Sequence, residues 1–447
     1  MMREYSETRR KLLHIGMGGF AMLLRVLTWQ QAAAGAVAAL LFNLFVLPRL
    51  FGGSLNRPAD QSRGYSIGIV LYPLSVLLLI LAFSSRLDIV AAAWGILAFG
   101  DGAATIAGRA WGRHPVPWQP QKSLEGLAAF IVFGGTAGVA LAWWTAPAVS
   151  PLPSVLFIVL APLIAAAAAG LAETVPIQLD DNLTVPAVAG ATLWALGLVT
   201  ADAWTMAQAV VWQQLPMALA VNAIAAVGGW RAGTVRISGM LIGWTIGVVV
   251  YACAGLAGWA LLFAAFLAAT VSSRLGLRKK ALLGIAEERG GHRGGGNAFA
   301  NTGLAAVAAL AAVLTPFHDA ALLAFVAVLT TGGSDTVASE IGKAWGGKTY
   351  LITTFSEVRP GTPGAMSLEG TVAGVLAALA LALGGAALHL IPLSLVWAVV
   401  GGAIAGSLVE SALAATLEAP GIVNNDVLNF LNTATGAIVA LVLMRVT

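Results

Sequence analysis

The stretch GDGAATIAGRAWG, Gly100–Gly112, returns later in the chain as SDTVASEIGKAWG, Ser334–Gly346. Asp101 and Asp335 are each followed at +3 by Ala, at +7 by Gly, at +8 by a cation (Arg109 or Lys343), at +10 by Trp and at +11 by Gly. A second echo follows each copy, KSLEG at Lys122–Gly126 and MSLEG at Met366–Gly370, so that Glu125 lies 24 residues after its Asp and Glu369 lies 34 after. A third comes one helical hairpin further on, where Glu173 precedes LDDN (Leu179–Asn182) and Glu410 precedes NNDV (Asn424–Val427). Three acidic or amide stations in the same order mark an internal duplication, and a duplication fixes the architecture before any single motif does.

The sequence around these stations is apolar. Of 447 residues, 59% are hydrophobic and 10% charged, with 52 glycines, which is the composition of a polytopic membrane protein rather than of a soluble core. Runs of about 17–25 apolar residues, the length that crosses a bilayer as helix, fall near 12–28, 31–50, 65–83, 88–106, 125–145, 153–172, 184–200, 205–229, 238–256, 258–273, 298–314, 319–333, 368–388, 392–411 and 428–446. The polar alternation of a membrane barrel strand is absent, so the expected fold is an all-α polytopic membrane protein of about fifteen transmembrane helices. Seven runs precede residue 201, an odd number, and a second set of seven would be inverted unless one helix were added; the run at 205–229 supplies it. Two parallel seven-helix repeats joined by one linking helix are therefore expected, with domains at 1–204 and 205–447. Parallel repeats put both sets of acids on one face, which weighs against the common transporter plan of inverted repeats around a mid-membrane site.

Lys and Arg gather on alternate loops: Arg9, Arg10 and Lys11, then Arg57 and Arg63, then Arg109, Arg113 and Lys122, then Arg231 and Arg236, then Arg274 to Arg293. Positively charged loops stay cytoplasmic, so both sets of stations are expected to face the cytoplasm. A charged N-terminal stretch runs into the first apolar segment without a small-residue cleavage site, and that helix is expected to be retained. The one cysteine, Cys253, lies inside a span and reads as a small apolar filler. A formal net charge of +4 suits loops beside anionic lipid, and no basic patch interleaved with aromatics points to nucleic acid.

An acid at a membrane helix costs on the order of 3 kcal/mol at the centre and less near the interface, so such residues are functional candidates by default. Hard oxygen ligands without a His-Cys cluster point to Mg2+ (or Mn2+), which takes a few carboxylates together with substrate phosphates. Arg10, Lys11, Arg109 and Lys122 complete an inventory for phosphate chemistry, which asks for a metal, neutralising cations and a proton acceptor. Ser123 and Ser367 also suit helix N-caps and Glu125 and Glu369 a helix first turn, so capping and ligation both fit the SLEG segments. His14 shares a helix face with Arg10 at i+4; a lone interfacial His packs more often than it catalyses, and it is the neighbouring Arg9-Arg10-Lys11 that directs this one toward phosphate. GKAWGGKT, Gly342–Thr349, satisfies the phosphate-loop pattern but follows a membrane span instead of a strand, so an ATPase reading is set aside; Lys343 and Lys348 keep a role as point charges on phosphate.

With RKLLH at Arg10–His14, GDGAATIAGRAWG, PWQPQKSLEG at Pro117–Gly126 and ETVPIQLDDNLTVP at Glu173–Pro186, the first half resembles the dolichol and phytol kinase (polyprenol kinase) family. The resemblance implies phosphorylation of a long isoprenoid alcohol with CTP and a divalent metal. It implies Asp101 and Glu125 near metal and nucleotide phosphate, Lys122 on phosphate, and Asp180, Asp181 and Asn182, with Glu173, at the nucleotide or metal. The second half resembles a membrane family that includes a plant phytyl-phosphate kinase, through GHRGGGNAFANTG at Gly291–Gly303, SDTVASEIG, LITTFSEVRPGTPGAMSLEG at Leu351–Gly370 and GSLVESALAATLE at Gly406–Glu418. There Asp335, Glu369, Glu410, Asn425 and Asp426 rest on the repeat, with Arg293, Asn301, Lys343 and Lys348 as candidate nucleotide or substrate contacts. Together the halves imply a bifunctional enzyme that takes a prenol to its monophosphate and then its diphosphate, in a bacterial inner (plasma) membrane, as a monomer or homodimer. The alternatives are a phosphatidate cytidylyltransferase, which shares the Asp, GR-x-x-G and K-[ST]-x-E-G layout, and, from another class, a transporter.

Overall fold

A computed structural model of the chain describes residues 7–47, 49, 67–176, 179–285 and 293–446, with side chains from Arg10 onward. The expected basic loop at Arg57 and Arg63 lies outside the described residues, as do the Arg9 side chain and the first two residues of GHRGGG. Nearly everything described is helix, and the chain divides into two compact units, Met1–Leu198 and Val199–Thr447. Thr200 caps the linking helix, its hydroxyl accepting from Ala203 N at 3.2 Å. That helix packs on its successor and so belongs to the second unit.

In the first unit seven helical segments follow in order: α1 (Glu7–Gly18, continued as a 3-10 turn at Gly19–Arg25), α2 (Trp29–Val46), α3 (Ile67–Ala82), α4 (Leu87–Trp111), α5 (Leu124–Ala148), α6 (Val155–Glu173) and α7 (Asp181–Gly197). The second unit has α8 (Ala201–Arg231), α9 (Ile237–Arg274), α10 (Gly295–Leu314), α11 (His318–Trp345), α12 (Leu368–Ala387), α13 (Leu393–Glu418) and α14 (Asn425–Met444). Among the described residues, every expected apolar run overlaps one of these helices. Among the described residues, eleven are long and apolar enough to cross a membrane. Four features separate that number from the expected fifteen: α1 changes to a 3-10 turn after Gly18, α3 has 16 residues, α7 has 17, and α9 runs as one 38-residue element across a break at Gly255. At Gly255 φ is +65°, a non-helical conformation that glycine adopts at no steric cost, so the runs 238–256 and 258–273 are two helices that meet at this break.

Each unit is organised around one helix that is apolar on every side. In the first unit α4 is buried almost continuously from Leu87 to Asp101; in the second, α11 is buried from Phe325 to Ser334 and packs on α9, α10, α12, α13 and α14. Asp101 and Asp335 stand where these two buried stretches end. In the first unit the approach of α4 to α5 is very close. Phe130 is fully buried, its ring 3.0 Å from where a Cβ on Gly100 or Gly170 would sit, and a Cβ on Gly134 would lie 3.1 Å from the Gly100 Cα. Both contact regions are π-helical, at Ile96–Asp101 and Phe130–Gly134; such widened turns are often found at functional sites.

Small sheets occupy two of the connections between helices. Strands β1 (Pro115–Val116) and β2 (Gln119–Ser123) form a hairpin between α4 and α5; β3 (Thr349–Leu351), β4 (Glu357–Val358) and β5 (Ala365–Ser367) form a sheet in the order β4-β3-β5 between α11 and α12. Ser123 pairs with Pro115 and Ser367 with Thr349, so each SLEG serine ends a strand and starts a helix in the same register.

Replacing Phe130 by Ala is expected to cost about 3–5 kcal/mol, because the surrounding helices cannot close the cavity left behind. Thermal unfolding in detergent, followed by size-exclusion fluorescence, should show the first unit melting earlier; an unchanged midpoint would mean that α4 and α5 do not depend on this ring.

Candidate functional site

In the first unit the stations converge on a polar cavity of about 490 Å³ lined by Lys11, Asp101, Arg109, Lys122, Glu173 and Asp181, among others. The π-helical turn of α4 brings Asp101 inward, where α1 meets it with Lys11: Lys11 Nζ donates to Asp101 Oδ1 at 2.6 Å and to Oδ2 at 2.5 Å, with both residues buried. The His14 ring, one turn along α1, lies behind the pair, Nε2 3.4 Å from Asp101 Oδ2 and edge-on to Tyr72 at 4.5 Å between centroids. From β2, Lys122 crosses to the end of α6, donating to the Glu173 backbone oxygen at 2.5 Å and to its Oε1 at 3.0 Å; Asp181 Oδ2 is 3.6 Å away. Asp101, Glu173 and Asp181 each offer a carboxylate oxygen, and these atoms all lie within 4.8 Å of one another. Three hard oxygens this close, reached by two ammonium groups, form a donor set that suits a small divalent cation carrying phosphate.

Other expected residues have structural duties here. Asp180 caps α7, accepting from Asn182 N at 2.9 Å and from Asn182 Nδ2 at 2.8 Å, while Ser75 donates to the Asn182 backbone oxygen. Asn182 is thereby fixed against α3, and neither Asp180 nor Asn182 lines the cavity. Arg10 also stands outside the lining. Glu125 turns away to the β1–β2 hairpin, accepting from His114 Nδ1 at 2.6 Å and from His114 N at 3.2 Å, while Ser123 caps α5 through Gly126 N at 3.1 Å. Of the two readings of KSLEG, capping is the one realised locally, and Glu173 stands in the carboxylate cluster where Glu125 was expected.

The second unit has the same serine cap and close glycine crossing. Ser367 caps α12 through Gly370 N at 3.1 Å, and a Cβ on Gly342 would lie 3.6 Å from the Gly370 Cα, against 3.8 Å for the corresponding Gly108 and Gly126. Its polar cavity, about 780 Å³, is lined by Arg236, Arg293, Asp335, Lys343, Glu410 and Glu418, with Asn425 and Asp426 at the start of α14. Asp335 is met by a hydroxyl instead of an ammonium: Ser407 donates to its Oδ1 at 3.1 Å. Met366, the counterpart of Lys122, lines the cavity. Glu369 is exposed and outside the lining, matching Glu125. Lys348 pairs with Glu357 across β3 and β4 at 3.3 Å, which holds its ammonium above the usual lysine range, and it too is outside the cavity. Asn301 donates to the Asn297 carbonyl at 3.0 Å and lines a neighbouring apolar cavity. GKAWGGKT runs from the end of α11 into β3, helix then strand, the reverse of a phosphate loop.

Residues that sequence reading did not pick out complete this cavity. Glu340 is buried between Lys280, its hydrogen-bond partner, and Lys343, 3.1 Å away, and Lys280 is itself fully buried. Nothing in the local sequence signals that pair. Glu418 did leave a signal: it follows Glu410 by eight residues as Asp181 follows Glu173.

Comparison with known proteins agrees with the membrane fold. Residues 220–437 match the integral membrane protein family DUF92. An uncharacterized membrane protein of Synechocystis is 40% identical over 203 residues, 44% of this chain and 78% of the relative. Protein VTE6, chloroplastic, of Arabidopsis thaliana is 37% identical over 216 residues, 46% of this chain and 65% of that protein. The phytol kinase of Synechocystis is 34% identical over 200 residues, 42% of this chain and 79% of the kinase. None of these three spans more than half of the chain. No solved structure matches it.

Removing one partner of a buried ion pair leaves an uncompensated charge, at about 3–5 kcal/mol. Lys11→Met should therefore lower the thermal midpoint, and Lys11→Met with Asp101→Asn should recover most of it. If the double variant melts as early as the single one, Lys11 acts through packing and not through the charge on Asp101.

Proposed function

We propose, for a chain that belongs to the DUF92 family of integral membrane proteins and has a phytol kinase among its relatives, that it is an isoprenoid kinase with two active units. The observation that carries the reading is the three-carboxylate cluster of Asp101, Glu173 and Asp181 with Lys11, Arg109 and Lys122 around it, set at the ends of membrane helices. That arrangement meets the needs of phosphoryl transfer, which is mostly positioning and neutralisation of charge.

In the first unit, Lys122 and Arg109 would bind the phosphates of a nucleoside triphosphate, CTP being the donor the sequence resemblance favours. Asp101, Glu173 and Asp181 would hold Mg2+ or Mn2+, which when bound neutralises phosphate oxygens. The prenol oxygen attacks the γ-phosphorus; the new P–O bond forms as the bond to the nucleoside diphosphate oxygen breaks, and the alcohol proton passes to a carboxylate of the cluster. Lys11 keeps Asp101 charged and oriented until the phosphates arrive.

In the second unit the acceptor would be the prenyl monophosphate. Its cavity is larger, about 780 Å³ against about 490 Å³, and its cations Arg236 and Arg293 stand just before α9 and α10 while Lys343 is in α11. Met366 in place of Lys122 leaves room for a second phosphate where the first unit has an ammonium. A monophosphate oxygen attacks the γ-phosphorus there, giving the diphosphate. Joining the two activities in one chain keeps the amphiphilic intermediate near its next site at high effective concentration. Both sites are read as cytoplasmic.

Purified protein given CTP, Mg2+ and labelled prenol should form monophosphate and then diphosphate. Asp101→Asn should abolish the first product while added prenyl phosphate is still converted; Asp335→Asn should make monophosphate accumulate. Release of pyrophosphate with a CDP-lipid would instead identify a cytidylyltransferase, and flux in liposomes without nucleotide turnover a transporter. Within the first unit Glu173→Gln should lose more than about 100-fold in rate, the scale of losing one electrostatic contact to the transition state. Glu125→Gln should lose only a few-fold, and the reverse order would restore Glu125 to the reacting centre.

Mg2+ alone at about 100 times its dissociation constant should raise the stability of the first unit by about 2.7 kcal/mol. Asp181→Asn should remove that gain in a thermal-shift titration. A gain that survives the substitution would place the ion elsewhere.

A further inference from the structure

Behind the wall of the first polar cavity lies a second, apolar one of about 290 Å³, bounded by the 3-10 end of α1, by α2, by α3 and by Trp94 of α4. Among its lining residues are Phe20, Leu24, Gly35, Ala36, Tyr72 and Trp94. Its size is near the lower end of small-molecule sites, about 300–1,000 Å³, and its walls have the apolar character of such sites. What separates it from the carboxylate cluster is two side chains in series, Tyr72 and then His14. Tyr72 lines the apolar cavity, its ring lies edge-on to His14, and His14 Nε2 is 3.4 Å from Asp101 Oδ2. Trp94 Nε1 donates to the Tyr72 hydroxyl at 2.8 Å, and Tyr72 donates to the His14 carbonyl at 3.5 Å, so the polar atoms of the wall are joined to one another and face the site.

We infer that this cavity receives the hydrocarbon chain of the isoprenoid alcohol, with the hydroxyl presented past Tyr72 at His14 and Asp101. The inference rests on the kinase reading of the first unit and names the part of it that selects chain length. The helix that lines the far side is built from small residues: Ala32, Gly35, Ala36 and Ala39 of α2 all face the cavity, which is how a helix yields space to a branched chain instead of filling it. Gly35 in particular has nothing within 4 Å of where a Cβ would stand. The second unit has the same pairing of cavities. An apolar one lined by Trp244, Trp259, Phe263 and Phe266 shares Arg293, Asn297 and Thr336 with the polar one that contains Asp335.

Gly35→Leu tests the inference, because the new side chain enters the cavity without meeting backbone. Gly19→Leu is the matched control, at a glycine equally free of neighbours and outside the cavity lining. With the full chain in detergent, kcat/KM for a C20 prenol should fall at least 10-fold in Gly35→Leu, chiefly through KM, while a C5 prenol is phosphorylated as by the parent protein. Gly19→Leu should treat both alcohols as the parent does. Equal losses on the two alcohols, or no loss on either, would overturn the chain-binding assignment while leaving the kinase reading standing. A parent protein that phosphorylates neither alcohol would remove the kinase reading and this inference with it. Thermal midpoints of both variants within a degree or two of the parent would show that folding is not what is being read.

Discussion

A carboxylate set among apolar helices has to be answered by a partner, and in the first unit the arrangement of α1, α4, α6 and α7 answers to Asp101. Lys11 reaches it from α1, and Lys122 brings Glu173 and Asp181 close from the other side. An unpaired charge here would be expensive, so the helix ends are held in one geometry by electrostatics as much as by packing.

The second unit solves the problem differently on the same scaffold. The serine cap, the close glycine crossing and the strand before the cap recur, but Asp335 has a hydroxyl partner and the buried lysine pairs elsewhere, Lys280 with Glu340. The cations that line the cavity, Arg236, Arg293 and Lys343, stand before α9, before α10 and in α11. Met366 lines the second cavity at the place in MSLEG that Lys122 holds in KSLEG, so positive charge is distributed differently around the two cavities.

The stations were legible because acids and glycines are scarce and costly in such a chain, so their spacing stands out against an apolar background. Asp101, Glu173 and Asp181 come together as their order suggested, as do Asp335 and Glu410 in one cavity. Glu125 and Glu369 show the limit. A glutamate in the first turn of a helix satisfies the helix dipole from any direction around the axis, and its sequence position does not say whether it faces the site or the neighbouring loop. Here both face away from their cavities, Glu125 toward His114.

The sequence by itself determined that this is an all-helical membrane protein with the same acidic stations in both of its halves, because hydropathy and spacing are properties of the chain alone. Only the tertiary structure decided which acids share a cavity, that Lys11 closes on Asp101 across 90 residues, and that an apolar cavity stands behind them beyond Tyr72 and His14. Those outcomes depend on the rotation of each helix about its axis. A π-helical turn at Ile96–Asp101 changes that rotation without leaving any mark in the pattern of residues.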